Sequence, residues 1–299
     1  MNKKNKILVY VFIFLLSSTL LIWFYLIQNN TEKFFSFDTD TTISENDNVD
    51  LSYNNSEQKM DLSITNRNRF ENIKTTTKDI GIPILYYHSV NENVDNEITI
   101  SPETLKEQLY YINNEGYTTI TISEFYDYLQ NKQPIPEKSI IITFDDGYMN
   151  NYTEAFPILK ELHMKATIFC VGNSLDGTYY LSKEAIKEMS DYGIDIESHT
   201  VNHLHLDTLT YDEQLSELKN SKEILENITG KTILSLAYPF GDYNDDTIKA
   251  AKEAGYKMAF TTNLGLSDKS DGLYELDRIY ISSYYDMNVF KDLLKNTEK

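Results

Sequence analysis

From Ile80 to the C-terminus, short apolar runs rich in β-branched residues alternate with amphipathic stretches that carry helix start and stop signals. This alternation constrains the chain more than any other feature. Strands separated by helices pair in parallel, and their helices cover the outside of the sheet. The predicted strands are Ile82–Tyr87, Ser139–Phe144, Thr167–Val171, Ile194–Ser198, Leu234–Tyr238, Lys257–Thr261 and Arg278–Ile281. Ser101 is an N-cap before Pro102 at the first helical position, and Gly116 stops that helix. Further helices are predicted over 151–163, over Ser182–Tyr192 closed by Gly193, from the capping box Thr210–Glu213 to Gly230, over Asp245–Ala254, and near Asp286–Leu294. About seven β-then-α units point to an α/β fold, a distorted (β/α) barrel over residues 80–299, rather than an open doubly wound sheet. No G-x-G-x-x-G follows any strand, so a dinucleotide-binding fold has no support.

Two other segments precede this domain. Lys3, Lys4 and Lys6 flank an uncharged run from Ile7 to Ile27, long enough for the ~20 residues a membrane-crossing helix needs. The basic flank stays in the cytosol, which places the remainder outside the cell. The expectation is a transmembrane signal-anchor over residues 1–28 and a single-pass membrane protein with an extracytoplasmic domain; a cleaved signal peptide, giving a secreted protein, is the alternative. Residues 29–79, dominated by Asn, Asp, Ser and Thr without hydrophobic periodicity, read as a flexible, disordered tether. The net charge of −19, from 46 acidic against 27 basic residues, excludes a nucleic-acid partner, which needs a basic footprint. One cysteine, Cys170, allows no intramolecular disulfide, and its apolar run marks it as a small buried hydrophobe.

Polar residues collect just after the predicted strands: His88, Asp145-Asp146-Gly147, His199 with His203, and Tyr238-Pro-Phe-Gly241. In (β/α) barrels that end of the strands carries the active site. Asp-Gly is ordinary turn chemistry, yet two adjacent carboxylates after a buried run are costly unless something cationic neutralises them. In a locally extended chain the two point different ways, so one can ligate a metal while the other handles a proton. His199 and His203, at i and i+4, share a face if their segment turns helically, although two surface histidines in a polar loop would look the same. Two imidazoles and one carboxylate fit Zn²⁺ with an open position for water, and Co²⁺, Ni²⁺ or Fe²⁺ suit the same donors. His205 is read as a supporting residue.

On these residues the domain resembles the polysaccharide deacetylases of carbohydrate esterase family 4. Thr143-Phe-Asp-Asp-Gly147 looks like the family's first motif and Ser198-His-Thr-Val-Asn-His203 like its second. The resemblance implies Asp145 as catalytic base and Asp146, His199 and His203 as metal ligands. The third motif is usually Arg-x-Pro-aromatic; Ala237-Tyr-Pro-Phe-Gly241 keeps Pro239 and Phe240, whose backbone N–H would correspond to the oxyanion donor, but lacks the Arg. Arg278 is the candidate substitute. The usual C-terminal Leu-x-x-His is absent, and Ile84-Leu-Tyr-Tyr-His88 supplies a similar pattern earlier in the chain. That order is similar to the subgroup acting on poly-β-1,6-N-acetylglucosamine in biofilms, and it implies His88 as general acid; a His that merely caps a strand is the alternative. The expected activity is acetate release from an extracellular N-acetylglucosamine polymer. The rival readings are a peptidoglycan deacetylase, an O-acetyl esterase, and a wall-binding module without catalysis.

Overall fold

The structure, a computed structural model, describes residues 69–297. The apolar run 7–27 and the tether up to residue 68 lie outside the described residues. Among the described residues, no helix is long and apolar enough to cross a membrane.

Seven parallel strands form the centre: β1 (Ile84–Tyr87), β2 (Ser139–Phe144), β3 (Thr167–Cys170), β4 (Asp195–Ser198), β5 (Ser235–Ala237), β6 (Met258–Leu264) and β7 (Leu276–Tyr280). Each pairs with the next in chain order, and β7 pairs with β1, so the ring is closed. Closure removes the exposed edges that an open sheet would have to protect. A two-residue strand, Thr118–Thr119, pairs with the start of β2 below the reach of β1.

The helices are α1 (Pro102–Asn114), α2 (Ile122–Asn131), α3 (Phe156–Glu161), α4 (Lys183–Tyr192), α5 (Tyr211–Thr229), α6 (Asp245–Glu253) and α7 (Met287–Asn296). Their starts follow the caps in the sequence. Ser101, Ser182, Thr210 and Asn244 each accept backbone N–H groups with their side chains, and Gly193 and Gly230 close α4 and α5 in the left-handed conformation. The stretch expected as one helix over 151–163 divides into a wide turn, Asn151–Ala155, and α3, with Pro157 in the first turn of α3.

Strand residues divide by parity. Leu85, Ile140, Ile142, Ile168, Cys170, Ile196, Leu236, Ala259 and Ile279 pack with the helices outside. Ile84, Ile141, Phe169, Ala237, Phe260 and Leu276 form a second core with Ile122, Phe125, Tyr128 and Leu129 of α2. This second set is the barrel interior, and α2 plugs its N-terminal mouth. The α2 helix was not among the sequence expectations, although Thr121 and Glu124 form a capping box at its start.

The domain also reaches further back than residue 80, into the stretch read as tether. Thr75–Thr76 pairs with Ile135–Pro136, and Arg69 binds Glu124 and the Thr119 carbonyl. These backbone pairings and a cation against a buried carboxylate order a segment that composition alone marks as polar linker.

Phe169 and Phe260 meet inside the barrel, ring centroids 5.5 Å apart. Phe169→Ala removes this central layer and is expected to cost about 3–5 kcal/mol. Urea unfolding of the variant checks it, with a lowered midpoint and an unchanged slope.

Candidate active site and metal centre

The same parity places the chemistry. Tyr86 and His88 continue the inward-facing series of Ile84; Thr143 and Asp145 continue that of Ile141; Arg278 continues that of Leu276. Period-two alternation therefore delivers several polar side chains to one mouth of the barrel.

Asp145 is buried, and its backbone N–H donates to the Tyr87 carbonyl (2.9 Å). Arg278, with no exposed surface, grips it with two parallel hydrogen bonds, Nη1 to Oδ1 and Nη2 to Oδ2, both 2.8 Å. Arg278 Nε donates to the Thr261 carbonyl at 2.9 Å, and its guanidinium lies over the Tyr86 ring at 4.3 Å. The register shift of β6 against β7, between Phe260 and Leu264, falls at the Thr261 carbonyl that Arg278 uses. Burial pushes the Asp145 carboxyl up, but the Arg278 charge and hydrogen bonds outweigh it and hold the carboxyl below its usual range. Arg278 is thus the buried cation that pairs with Asp145.

Asp146 departs from the extended geometry expected for the pair. Its φ is +70°, so the two carboxylates diverge through a left-handed turn, not through strand alternation. Gly147 follows, also at positive φ, where a Cβ would sit 3.1 Å from the Cys170 sulfur. Cys170 itself is buried, and burial pushes its thiol far up, so it is inert packing.

The histidines also converge differently from the helical expectation. Residues 199–205 form a loop, with Thr200 and His203 at φ +65° and +55°. His203 N–H donates to Thr200 Oγ1 at 3.1 Å. Glu217, on the buried face of α5, accepts the N–H groups of Val201 (3.1 Å) and Asn202 (2.9 Å). Sequence reasoning missed Glu217; a carboxylate among the buried positions of an amphipathic helix was the available signal.

Asp146, His199 and His203 offer ligand atoms that all lie within 4.8 Å of one another. Asp146 Oδ1 is 3.2 Å from His203 Nε2 and 3.5 Å from His199 Nε2. His199 Nδ1 donates to the Ala237 carbonyl at 2.7 Å, which fixes the tautomer and leaves Nε2 free as a ligand. Burial holds the His199 imidazole neutral, its pKa lowered to about 4. Burial works against the Asp146 charge, but the hydrogen bond from His203 holds its carboxyl below the usual range. One carboxylate and two imidazoles, one of them oriented by a backbone carbonyl, fit a divalent ion of the Zn²⁺, Co²⁺, Ni²⁺ or Fe²⁺ class.

His88 lies near enough to both carboxylates to help hold them ionised. Its carbonyl accepts from Asn151 Nδ2 at 2.7 Å, while its buried Nδ1 has no hydrogen-bond partner among the described residues. Phe240, in the turn Pro239–Gly241, has φ +60° and a ring 53% exposed. Its ring stacks on His205 (centroids 3.9 Å) and meets His203 edge-on (4.5 Å). His205 Nδ1 donates to Asp242 Oδ2 at 2.6 Å, so it stands outside the ligand group and joins the two loops instead.

The depressed His199 pKa has a consequence for the metal-free protein. The unfolded histidine, with its ordinary pKa of ~6.5, binds more protons than the folded one between pH ~4 and ~6.5. Stability should therefore rise with pH across that window, and His199→Gln should flatten the rise. Thermal melts of metal-stripped protein and variant from pH 4 to 7 check this.

Comparison with known proteins agrees with the geometry. The polysaccharide deacetylase family model matches residues 132–259. YxkH of Bacillus subtilis, described as a candidate polysaccharide deacetylase, is 40% identical over 208 residues, covering 69% of this chain and 74% of that protein. The poly-β-1,6-N-acetyl-D-glucosamine N-deacetylase of Staphylococcus epidermidis is 31% identical, covering 66% and 71%. The Streptococcus pyogenes deacetylase PplD, solved in complex with acetate, superposes with a TM-score of 0.68 at 32% identity, covering 74% of this chain and all of PplD. With the buried Asp145–Arg278 pair and the Asp146–His199–His203 group at the mouth of a parallel barrel, the chain belongs to the polysaccharide deacetylases, hydrolases of the carbohydrate esterase 4 type.

Proposed function

We propose that this protein is a metal-dependent N-deacetylase of an extracellular N-acetylglucosamine polymer, poly-β-1,6-N-acetylglucosamine in preference to others, tethered to the cell membrane by residues 7–27. The observation that carries the reading is His88, brought from β1 to the mouth that holds Asp145 and Asp146. An amide needs an acid to protonate its leaving nitrogen, and His88 offers one beside the two carboxylates. The named activity of the Staphylococcus epidermidis relative supports the choice of polymer. The basic flank and apolar run at the N-terminus support the location.

Asp146, His199 and His203 would hold the ion. When bound, it supplies Lewis acidity, lowering the pKa of water toward ~7 and polarising the acetamide carbonyl. Asp145, kept ionised by Arg278, would take the proton of the attacking water as its oxygen adds to the carbonyl carbon. Arg278 holds both carboxylate oxygens and so fixes the direction of that transfer. The Phe240 N–H donates to the oxyanion. His88 then gives a proton to the amine nitrogen as the C–N bond breaks, leaving acetate and a glucosamine unit.

Asp145→Asn preserves shape and removes the base. Acetate release from β-1,6-linked N-acetylglucosamine oligomers should fall by about 10²–10⁴, with the metal still bound. Undiminished release would remove Asp145 from the role. Peptidoglycan and acetylated xylan, run as parallel substrates, test the choice of polymer; preferential turnover of either would overturn it.

A further inference from the structure

The loop that follows β3 is built back onto the loop that follows β2. Met149 N–H donates to the Tyr179 carbonyl (2.8 Å), Leu181 N–H donates to the Gly147 carbonyl (2.9 Å), and Tyr148 and Tyr180 form an antiparallel bridge. Asp176 fixes the tip: its Oδ1 accepts the N–H groups of Thr178 (2.7 Å), Tyr179 (2.9 Å) and Tyr180 (3.1 Å). These contacts gather three tyrosines. Tyr148 and Tyr180 stack with centroids 5.5 Å apart and 12° between planes, whereas Tyr179 stands at 88° to both, 5.3 and 4.9 Å away.

The cluster adjoins the metal centre. Tyr148 is buried and lies two residues after Asp146, across the turn that Gly147 makes. Tyr179 packs edge-on against Tyr148 and is therefore one ring further out from the Asp146 turn. It is stacked on neither neighbour and remains 63% exposed. This large aromatic is held in the open by both its backbone N–H and its carbonyl, and most of its ring area is left uncovered. Isolated exposed apolar residues are ordinary, but an ordered one continuous with an active site marks a recognition surface.

We propose that Tyr179 is the stacking platform of a sugar subsite, taking the pyranose ring next to the one being deacetylated. The apolar C–H face of an N-acetylglucosamine ring would lie on the open tyrosine ring, and the stacked Tyr148–Tyr180 pair would form the wall towards Asp146. This rests on the polymer deacetylase reading above and adds to it where the neighbouring unit of the chain is held.

The test uses the full-length, metal-loaded protein with N-acetylglucosamine itself and its β-1,6-linked pentamer. In the wild type the pentamer should be the better substrate by kcat/KM. Tyr179→Ala should cut that advantage roughly 3- to 10-fold, the size of an aromatic contact, mainly through KM for the pentamer. Tyr179→Phe should retain the advantage, and Asp176→Ala, which frees the loop tip, should weaken it as Tyr179→Ala does. Circular dichroism and metal content establish that each variant is folded and loaded. An unchanged KM for the pentamer in folded Tyr179→Ala overturns the subsite, as does an equal loss on the pentamer and the single sugar. If the wild type releases no acetate from the pentamer, the deacetylase reading fails first; a subsite failure appears only against an active wild type.

Discussion

Asp145 and Arg278 face each other from β2 and β7, with β1 between them in the closed ring. Both are buried, so neither charge can be left alone: losing one partner of such a pair typically costs about 3–5 kcal/mol. The pair therefore ties ring closure to site geometry. Arg278 reaches Asp145 only because β7 returns to β1, and Asp145 stays ionised in an apolar barrel only because Arg278 is there. Thr143 Oγ1 and the Thr261 carbonyl complete the shell around the guanidinium, which leaves Asp145 little freedom to turn.

Around this fixed pair the backbone is bent where the chemistry is placed. Asp146, Thr200, His203 and Phe240 all adopt left-handed conformations, each at a cost on the order of 1–3 kcal/mol. Each bend has a visible holder. Gly147 lets the Asp146 turn press against Cys170, and Glu217 gathers the amides between the two histidines. The Phe240 turn is held by Gly241, whose absent Cβ would collide with Thr262, and by the His205–Asp242 bond. The barrel supplies direction through strand parity; the strained loops supply the last rotation that brings Asp146 against both imidazoles.

Much of this was legible in the sequence because it depends on local rules. The strand beginning at Ser139, the caps at Ser101, Ser182 and Thr210, and the glycine stops at 193 and 230 express propensities that tertiary contacts did not override. The site residues could be named because polar groups stood after strands. How they meet could not be read. An i, i+4 spacing suggested a helical face, whereas Thr200 and His203 turn left-handed under restraints from Glu217, a distant residue on α5. The α2 plug was overlooked because its apolar face serves the barrel interior, although its capping box stood in plain view. Arg278 could be named only as a candidate; the ring's closure is what brings it to Asp145, more than a hundred residues earlier in the chain.

All of the chemistry assigned to this mouth depends on Asp146, His199 and His203 acting together on one divalent ion. Calorimetric titration of metal-stripped, full-length protein with Zn²⁺ measures this directly. The account predicts a single-site isotherm at one ion per chain, abolished in an Asp146→Ala, His203→Ala double variant that still folds. Full-strength binding by the folded double variant would contradict it.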